Sequence, residues 1–389
     1  RLINHDDVFR QLTDAGLLVD HLEVDARMHR CRVDGMDREN RGWYCLHEWR
    51  GGDGNLYIVG SYGIWQGNDQ GATKVKLKGV TLSDAEKAAM RARMAEDRKR
   101  AVADRARVAE AAARQAEATW NAIGSRAPAK GECEYLERKG LTFHSSLRFT
   151  ASRSLVAPMH DARGTIKGLQ FILPADHPRR KKTGRDKEYW PAGLQKQGHW
   201  CSLGTPVHGG VCLLCEGVAT GLSLHYATGL PVAVAFDAGN LRHVAAAIKK
   251  SLGTHRILIC ADDDYLQKCR KCKQPTVQAE KACQHCGNDH GTENAGTREA
   301  ETAVLQVGGA WVAPLFPNDR AGKKLTDFND LHVVASLQLV GTQISDKLDA
   351  LGWRVPALRV ALSPKGGGDS GRMVARLSIE ESVVRYWGT

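Results

Sequence analysis

The sequence predicts an α/β protein: a parallel sheet with helices on both faces, preceded by a basic α+β segment, a long charged helix and a small N-terminal β-rich domain. Three observations predict it. From Gly210 onward short apolar runs alternate with helical stretches: "VCLLCEG" and "VATGLSLHYATG", "PVAVAFDAGNL" and "RHVAAAIKKSL", "HRILICADDD", then "GTREAETAVLQVGG" and "AWVAPLF". That rhythm argues for strand–helix–strand units. Upstream, "TLSDAEKAAMRARMAEDRKRAVADRARVAEAAARQAEATWNAI" is rich in Ala, Arg and Glu and has neither Gly nor Pro. Before it, β-forming runs are separated by Gly and Asp turns.

Taken in order, residues 1–80 form the β-rich domain. "HDDVFRQLTDAG" is a short helix, and "RMHRCRV", "GWYCLHEW" and "NLYIVGSYG" are strands. Arg27, His29, Arg30 and Arg32 beside Trp43 and Tyr44 are either nucleic-acid contacts or ordinary edge-strand residues. Residues 81–125 are the long helix, opened by a Ser83/Glu86 capping box. Its scarcity of large apolar residues reads as a solvated spacer. Residues 126–208 are the basic segment. Here "SLVAPMHDARGTIKGLQFILP" is a hairpin turning at Asp161–Gly164. The basic loop "HPRRKKTGRDKEYWPAG" follows, with Arg179, Arg180, Lys181, Lys182, Arg185 and Lys187 running into Tyr189 and Trp190. Cations beside aromatics suit a single strand, charge for phosphates and rings for bases; the bland alternative is a solvated loop. Residues 209–335 are the α/β domain, interrupted at about 266–292. Residues 336–389 hold a helix ("ISDKLDALGW"), the Gly-rich linker "SPKGGGDSG", and "RLSIEESVVRYWGT", which reads as the opening of a further amphipathic helix. Together with the start at Arg1, that ending predicts a piece of a longer protein.

The 389 residues carry 55 Lys and Arg against 44 Asp and Glu, a formal net charge of +11. Such an excess favours a polyanionic partner, nucleic acid first. No signal peptide is visible and no apolar run reaches transmembrane length, so the expectation is a cytoplasmic protein without a membrane partner. In a reducing cytoplasm Cys-x-x-Cys pairs among the 11 cysteines point to metal rather than disulfides.

Two motifs carry chemistry. Asp262 and Asp264 follow the apolar run "ILICA", and alternate residues of extended chain point the same way. They can share a cation while Asp263 points elsewhere. With Glu216 from another strand end they would make an all-oxygen site for Mg²⁺ or Mn²⁺ at the carboxyl edge of the sheet. Cys269/Cys272 and Cys283/Cys286 have the spacing of two zinc knuckles closing one structural tetrahedron, with His285 and His290 as substitutes only if a cysteine fails. Lys268, Arg270, Lys271, Lys273 and Lys281 would give this ribbon positive charge for DNA, or the ribbon only braces its loop. Cys212 and Cys215 also spell Cys-x-x-Cys, but in a strand they face opposite sides and read as core.

Glu216-Gly217 after one strand and Asp262-x-Asp264 after another resemble the Toprim domain. The upstream "EYLERKGL", "LVAPMHDARGTIKGLQFIL" and "KEYWPAG" resemble the basic subdomain of replicative primases. "CEGVATGLSLHYATGLPVAVAFDAGNL" and "TDFNDL" look like primases of phages, plasmids and integrative elements. The resemblance implies a nucleotidyltransferase that makes RNA primers on single-stranded DNA from NTPs, with a helicase domain or helicase partner. Glu216 would be the acid/base or metal-organising carboxylate, and Asp262 and Asp264 the metal holders. Asp327 and Asp330 would join the cluster, or cap the next helix. Two departures stand out: Thr220 replaces an expected Asp, and the Gly expected soon after Asp264 comes only at Gly296. A Toprim-type nuclease and a non-catalytic single-stranded-DNA-binding factor are the rival functions.

Overall fold

The computed structural model describes residues 2–35, 40–65, 71–77, 84–254, 256–269, 271–289, 294–317, 320 and 323–353. Ser83, Arg270, His290, the Gly-rich linker and the terminal amphipathic stretch lie outside the described residues.

A five-stranded antiparallel sheet opens the chain: β1 (Leu17–Leu18), β2 (Met28–Val33), β3 (Gly42–Arg50), β4 (Leu56–Ile64) and β5 (Thr73–Lys74) in sequential order, with α1 (His5–Asp14) against one face. Val8 and Leu12 of α1 bury against Leu17, Tyr44, Leu46 and Ile58. The opposite face carries Trp49, Tyr57 and Val59, which pack with Met90 of α2 (Asp84–Ala122). Trp43 and Tyr44 are 3% and 4% exposed, and His29 stacks on Tyr44. These rings fill the domain's own core, so the expectation that they could stack on nucleic acid is not met.

Helix α2 is more than a solvated spacer. Near its start, Asp97 Oδ2 lies 3.0 Å from Nδ1 of the buried His47. At its far end Ala116 is fully buried among Val156, Ile166 and Leu169, flanked by Trp120. A narrow stripe of Ala lets a helix approach a sheet closely; the pattern escaped notice because it lacks large apolar residues.

The sheet beneath α2 is β6 (Arg148–Phe149), β7 (Leu155–His160), β8 (Ile166–Ile172) and β9 (Lys187–Trp190), all antiparallel, after the short helix α3 (Glu134–Arg138). Asp161 Oδ1 accepts the N–H groups of Arg163 and Thr165 at 2.9 and 3.0 Å, fixing the β7–β8 turn. Side chains alternate along β7. Val156 faces α2, while Leu155, Ala157 and Met159 face the second sheet.

That second sheet has the order β10-β12-β11-β13-β16: β10 (Cys201–Leu203), β11 (Cys212–Cys215), β12 (Val232–Val234), β13 (Ile257–Cys260) and β16 (Ala310–Val312). All neighbours are parallel except the antiparallel edge pair β10–β12. The sheet thus takes its first strand from ahead of residue 209. Helices cover both faces. On one lie α5 (Val218–Thr228), α8 (Phe328–Val334) and α9 (Leu337–Ala350); on the other lie α6 (Leu241–Leu252) and α7 (Ala295–Val307). Cys215 belongs to the first core and Cys212 to the second, as period-2 alternation requires. Leu155, Ala157 and Met159 share the first core with Leu213, Val234 and Phe328, so residues on both sides of position 208 are built on one apolar cluster.

Replacing Ala116 by Asp should place an unpaired carboxylate in that packed interface, at a cost of about 2–4 kcal/mol. Urea unfolding should show the loss, and limited proteolysis should cut α2 first; an unchanged midpoint would mean that α2 does not pack there.

Candidate metal and nucleotide site

The parallel strands end at one edge, and carboxylates follow two neighbouring strands. Cys215 and Cys260 are register partners; Glu216 comes directly after β11, and Asp262 and Asp264 just after β13. Asp237 follows β12, beyond Phe236, which holds the left-handed φ of 72°. From the far side α8 brings Asp327 and Asp330.

These acids repel one another. Burial first, then the Asp237 and Asp264 carboxylates, raise Glu216 to about 7, with Lys187 pulling the other way. Burial and the charges of Glu216, Asp327 and Asp264 hold Asp262 well above the carboxylate range. Asp327 is raised by burial and by Asp330, against which Lys139, the Asp330 N–H and the Thr220 hydroxyl act. Asp262 Oδ1 is buried with no hydrogen-bond partner. Buried acids without donors are expected to bind cations or protons.

The cluster is open. Among the described residues no three acids bring ligand atoms within 4.8 Å of one another; the only His/Cys/Asp/Glu group that does is the cysteine set. Asp327 and Asp330 also have structural work. Asp327 Oδ1 accepts the Asp330 N–H at 2.8 Å, capping α8, and Asp330 Oδ2 accepts the Thr326 N–H at 2.9 Å. Lys139 Nζ lies 3.5 Å from Asp330 Oδ1. Thr220, where the resemblance predicted Asp, is 2% exposed and is a neutral hydrogen-bond partner of Asp327. Gly296 opens α7 directly over the acid loop; a Cβ there would sit 2.2 Å from the Asp262 carbonyl oxygen, which explains a glycine at this point after the insertion.

A cavity of about 430 Å³ borders the cluster. Gly217, Thr220, Asp327 and Asp330 line one side, and Arg138, Lys139 and Lys187 supply cations from the preceding segment.

The expected basic loop is not a loop. His177 caps a short helix, α4 (Pro178–Thr183), which Gly184 ends at φ 70°, and Lys187–Trp190 is the edge strand β9. Lys181, Lys182, Arg185 and Lys187 are exposed. Arg179, also exposed, pairs with Glu188 at 3.0 Å, and Arg180 donates to the Leu173 carbonyl at 3.0 Å. Trp190 packs edge-on to Phe171 in the α2 interface, and Tyr189 donates to the Phe236 carbonyl at 3.1 Å beneath Lys196. Trp190 is thus turned into the interface, while Tyr189 remains 41% exposed. Lys196 also pairs with Asp237. Sequence reading passed over Asp237, Lys139 and Lys196; the strand-end position of "AFD" was the signal for the first.

The cysteine set is compact. The hairpin β14 (Leu266–Lys268) and β15 (Pro275–Val277) carries the first knuckle. Sγ of Cys269 lies 3.6 Å from that of Cys286, and Cys272 lies 3.6 Å from Cys283. A tetrahedral Zn²⁺ at its usual bond length needs sulfurs about 3.8 Å apart, so the four thiols fit it. Lys273 and Gly287, each following a knuckle's second cysteine, share the left-handed φ of 63° and 67°. The His285 ring is 3.0 Å from the Pro275 carbonyl, engaged away from the thiols. Cys283 is lowered to about 6: burial works against this, but the His285 and Cys286 N–H groups and the Cys272 thiol outweigh it. No helix among the described residues is long and apolar enough to cross a membrane.

Residues 211–336 match the Toprim domain family. Two Escherichia coli proteins named DNA primase TraC are similar along most of the chain. One is 25% identical over 305 residues, covering 76% of this chain and 18% of that protein; the other is 28% identical over 334 residues, covering 82% and 27%. The chain therefore spans only about a fifth to a quarter of these relatives. Among solved structures, a bacteriophage T7 lagging-strand DNA polymerase with gp4 primase domains matches at 14% identity and TM-score 0.31, over 51% of this chain and 81% of that one. The zinc-binding and RNA polymerase domains of Aquifex aeolicus primase match at 15% and 0.31, over 49% and 40%. Residues 211–336 thus form a Toprim domain, and most of the chain is similar to proteins named DNA primase TraC.

Glu216 and Asp262 prefer protons in the folded state, so folding takes up protons and apo stability should fall as pH rises from about 4.5 through about 7. Mn²⁺ should therefore raise the melting temperature at pH 8 much more than at pH 5, and Glu216→Gln should stabilise the apo protein at pH 8. A cation effect independent of pH would contradict this.

Proposed function

We propose that the chain is the primer-synthesising part of a DNA-dependent RNA primase of a mobile element such as a phage or plasmid. It would copy single-stranded DNA by joining NTPs, 3′-hydroxyl to α-phosphate, with release of pyrophosphate. The observation that carries this reading is the meeting of Glu216, Asp262, Asp264 and Asp327 beside a cavity lined by Arg138, Lys139 and Lys187. Acids alone would suit phosphodiester hydrolysis equally. A space of about 430 Å³ that carries Arg138, Lys139 and Lys187 as well as Asp186, Asp327 and Asp330 would admit a metal-bound triphosphate.

Asp262, Asp264 and Glu216 would hold Mg²⁺ or Mn²⁺, with Asp327 at the margin. When bound, the ions would supply charge neutralisation and a lower barrier to hydroxyl attack. Glu216 would either organise the ions or take the proton from the attacking hydroxyl. Lys139 and Lys187 would orient the triphosphate, and Lys181, Lys182 and Arg185 of the exposed α4 region would hold template phosphates. Zn²⁺ on Cys269, Cys272, Cys283 and Cys286 would be structural, since the short polar segment between the pairs has little core of its own. A helicase domain or partner would supply single-stranded template, as the resemblance to mobile-element primases implies.

Labelled NTPs on single-stranded DNA with Mg²⁺ or Mn²⁺ should yield short RNA. Asp262→Asn and Glu216→Gln should lower the rate at least about 10²-fold while zinc content stays at one per chain. DNA cleavage lost in the same variants would instead identify a nuclease. DNA binding without either reaction would identify a binding factor.

A further inference from the structure

Three aspartates in a row pose a problem that Asp262 and Asp264 alone do not. A third charge turned toward the cluster would add to a repulsion already strong enough to raise Glu216 and Asp262. Asp263 is drawn away. Its carboxylate pairs with Arg320 Nη2 and accepts from Asn294 Nδ2 at 2.7 Å. The Asn294 Oδ1 in turn accepts the Asp264 N–H at 3.2 Å.

Arg320 binds more than Asp263. Its side chain is 17% exposed and its guanidinium lies 4.2 Å from the Tyr265 ring and 4.6 Å from the Phe316 ring. Nη1 donates to the Leu325 carbonyl at 3.2 Å. The Asp263 N–H donates to the Thr326 carbonyl at 2.8 Å. One guanidinium thus joins the loop that carries Asp262 and Asp264 to the loop that leads into Asp327. It also stacks at the root of the cysteine ribbon, where the Tyr265 carbonyl accepts the Gln278 N–H at 2.6 Å.

We propose that Arg320 is a positioning residue: by holding Asp263 and the 323–327 loop, it sets Asp262 and Asp264 toward Glu216 and fixes the ribbon's base. Its relevance to metal binding rests on the primase reading; its effect on the loop does not. A planar guanidinium that stacks and forks suits this place, and an ammonium does not.

Amide hydrogen exchange of the zinc-loaded protein tests the first part, and Mn²⁺ binding followed by electron paramagnetic resonance tests the second. In Arg320→Ala the Asp263 and Asp264 amides should exchange at least about tenfold faster, the loss of one charge-assisted hydrogen bond, while β13 amides keep their protection. Mn²⁺ affinity should fall by about the same factor. Arg320→Lys should recover less than half of either effect. Asp263→Asn should loosen the same amides, and the double variant should exchange no faster than Arg320→Ala alone. Unchanged exchange in a folded Arg320→Ala, or additive effects in the double variant, would overturn the proposal. Loosened amides in a protein that binds no Mn²⁺ even as wild type would leave Arg320 as a loop-positioning residue and refute the metal-dependent reading.

Discussion

The crowding of carboxylates at the carboxyl edge of the parallel sheet is the constraint on which the rest of the structure turns. Glu216, Asp237, Asp262, Asp264 and Asp327 converge there because their strands end together and α8 starts opposite them. Like charges at partly buried positions cost stability unless something positive, a proton or a hydrogen bond intervenes. The surroundings answer each carboxylate separately: Lys196 for Asp237, Arg320 and Asn294 for Asp263, the helix cap and Thr220 for Asp327, Lys139 for Asp330. Glu216 and Asp262 are the two that burial and neighbouring charge raise furthest.

Packing explains why the site draws on two segments of sequence. The antiparallel sheet β6–β9 is clasped between the Ala stripe of α2 and the first core of the parallel sheet. That clasp brings Arg138, Lys139 and Lys187 to the wall of the cavity whose other wall is acidic. Asp186 stands among these cations and pairs with Arg138 at 3.8 Å, so the cavity carries both signs of charge. The cysteine ribbon grows out of the acid loop, its first ligand only five positions beyond Asp264. The thiol cluster and the acid cluster are neighbours here because one loop ends where the other begins, with Arg320 at the joint.

Much of this was legible in the sequence, for local reasons. Strand–helix alternation announced the parallel sheet, acids after apolar runs announced strand-end carboxylates, and Cys-x-x-Cys spacing announced the thiol cluster. Features set by distant contacts were not legible. Asp237 was hidden because one acid after "VAVAF" looks like a turn residue. Lys139, Lys196 and Arg320 meet the acids only across the fold. The basic stretch read as a loop because its charges masked two local signals, the Pro178 start and the Gly184 stop of α4. Trp190 beside Tyr189 suggested stacking on bases, but edge-strand pairing with β8 turned Trp190 into the α2 interface. The buried face of α2 was missed because it is made of Ala, whose burial leaves little mark on hydrophobic periodicity.

In the proposed metal site, protonated and crowded acids give up protons to divalent cations. Calorimetric titration of the zinc-loaded protein with Mn²⁺ at pH 7, repeated in buffers of different ionisation enthalpy, measures the protons released per ion bound. Net proton release is expected, and it should disappear in the Glu216→Gln/Asp262→Asn variant together with the binding. Binding without proton release, or binding that survives in that variant, would place the cations elsewhere and contradict it.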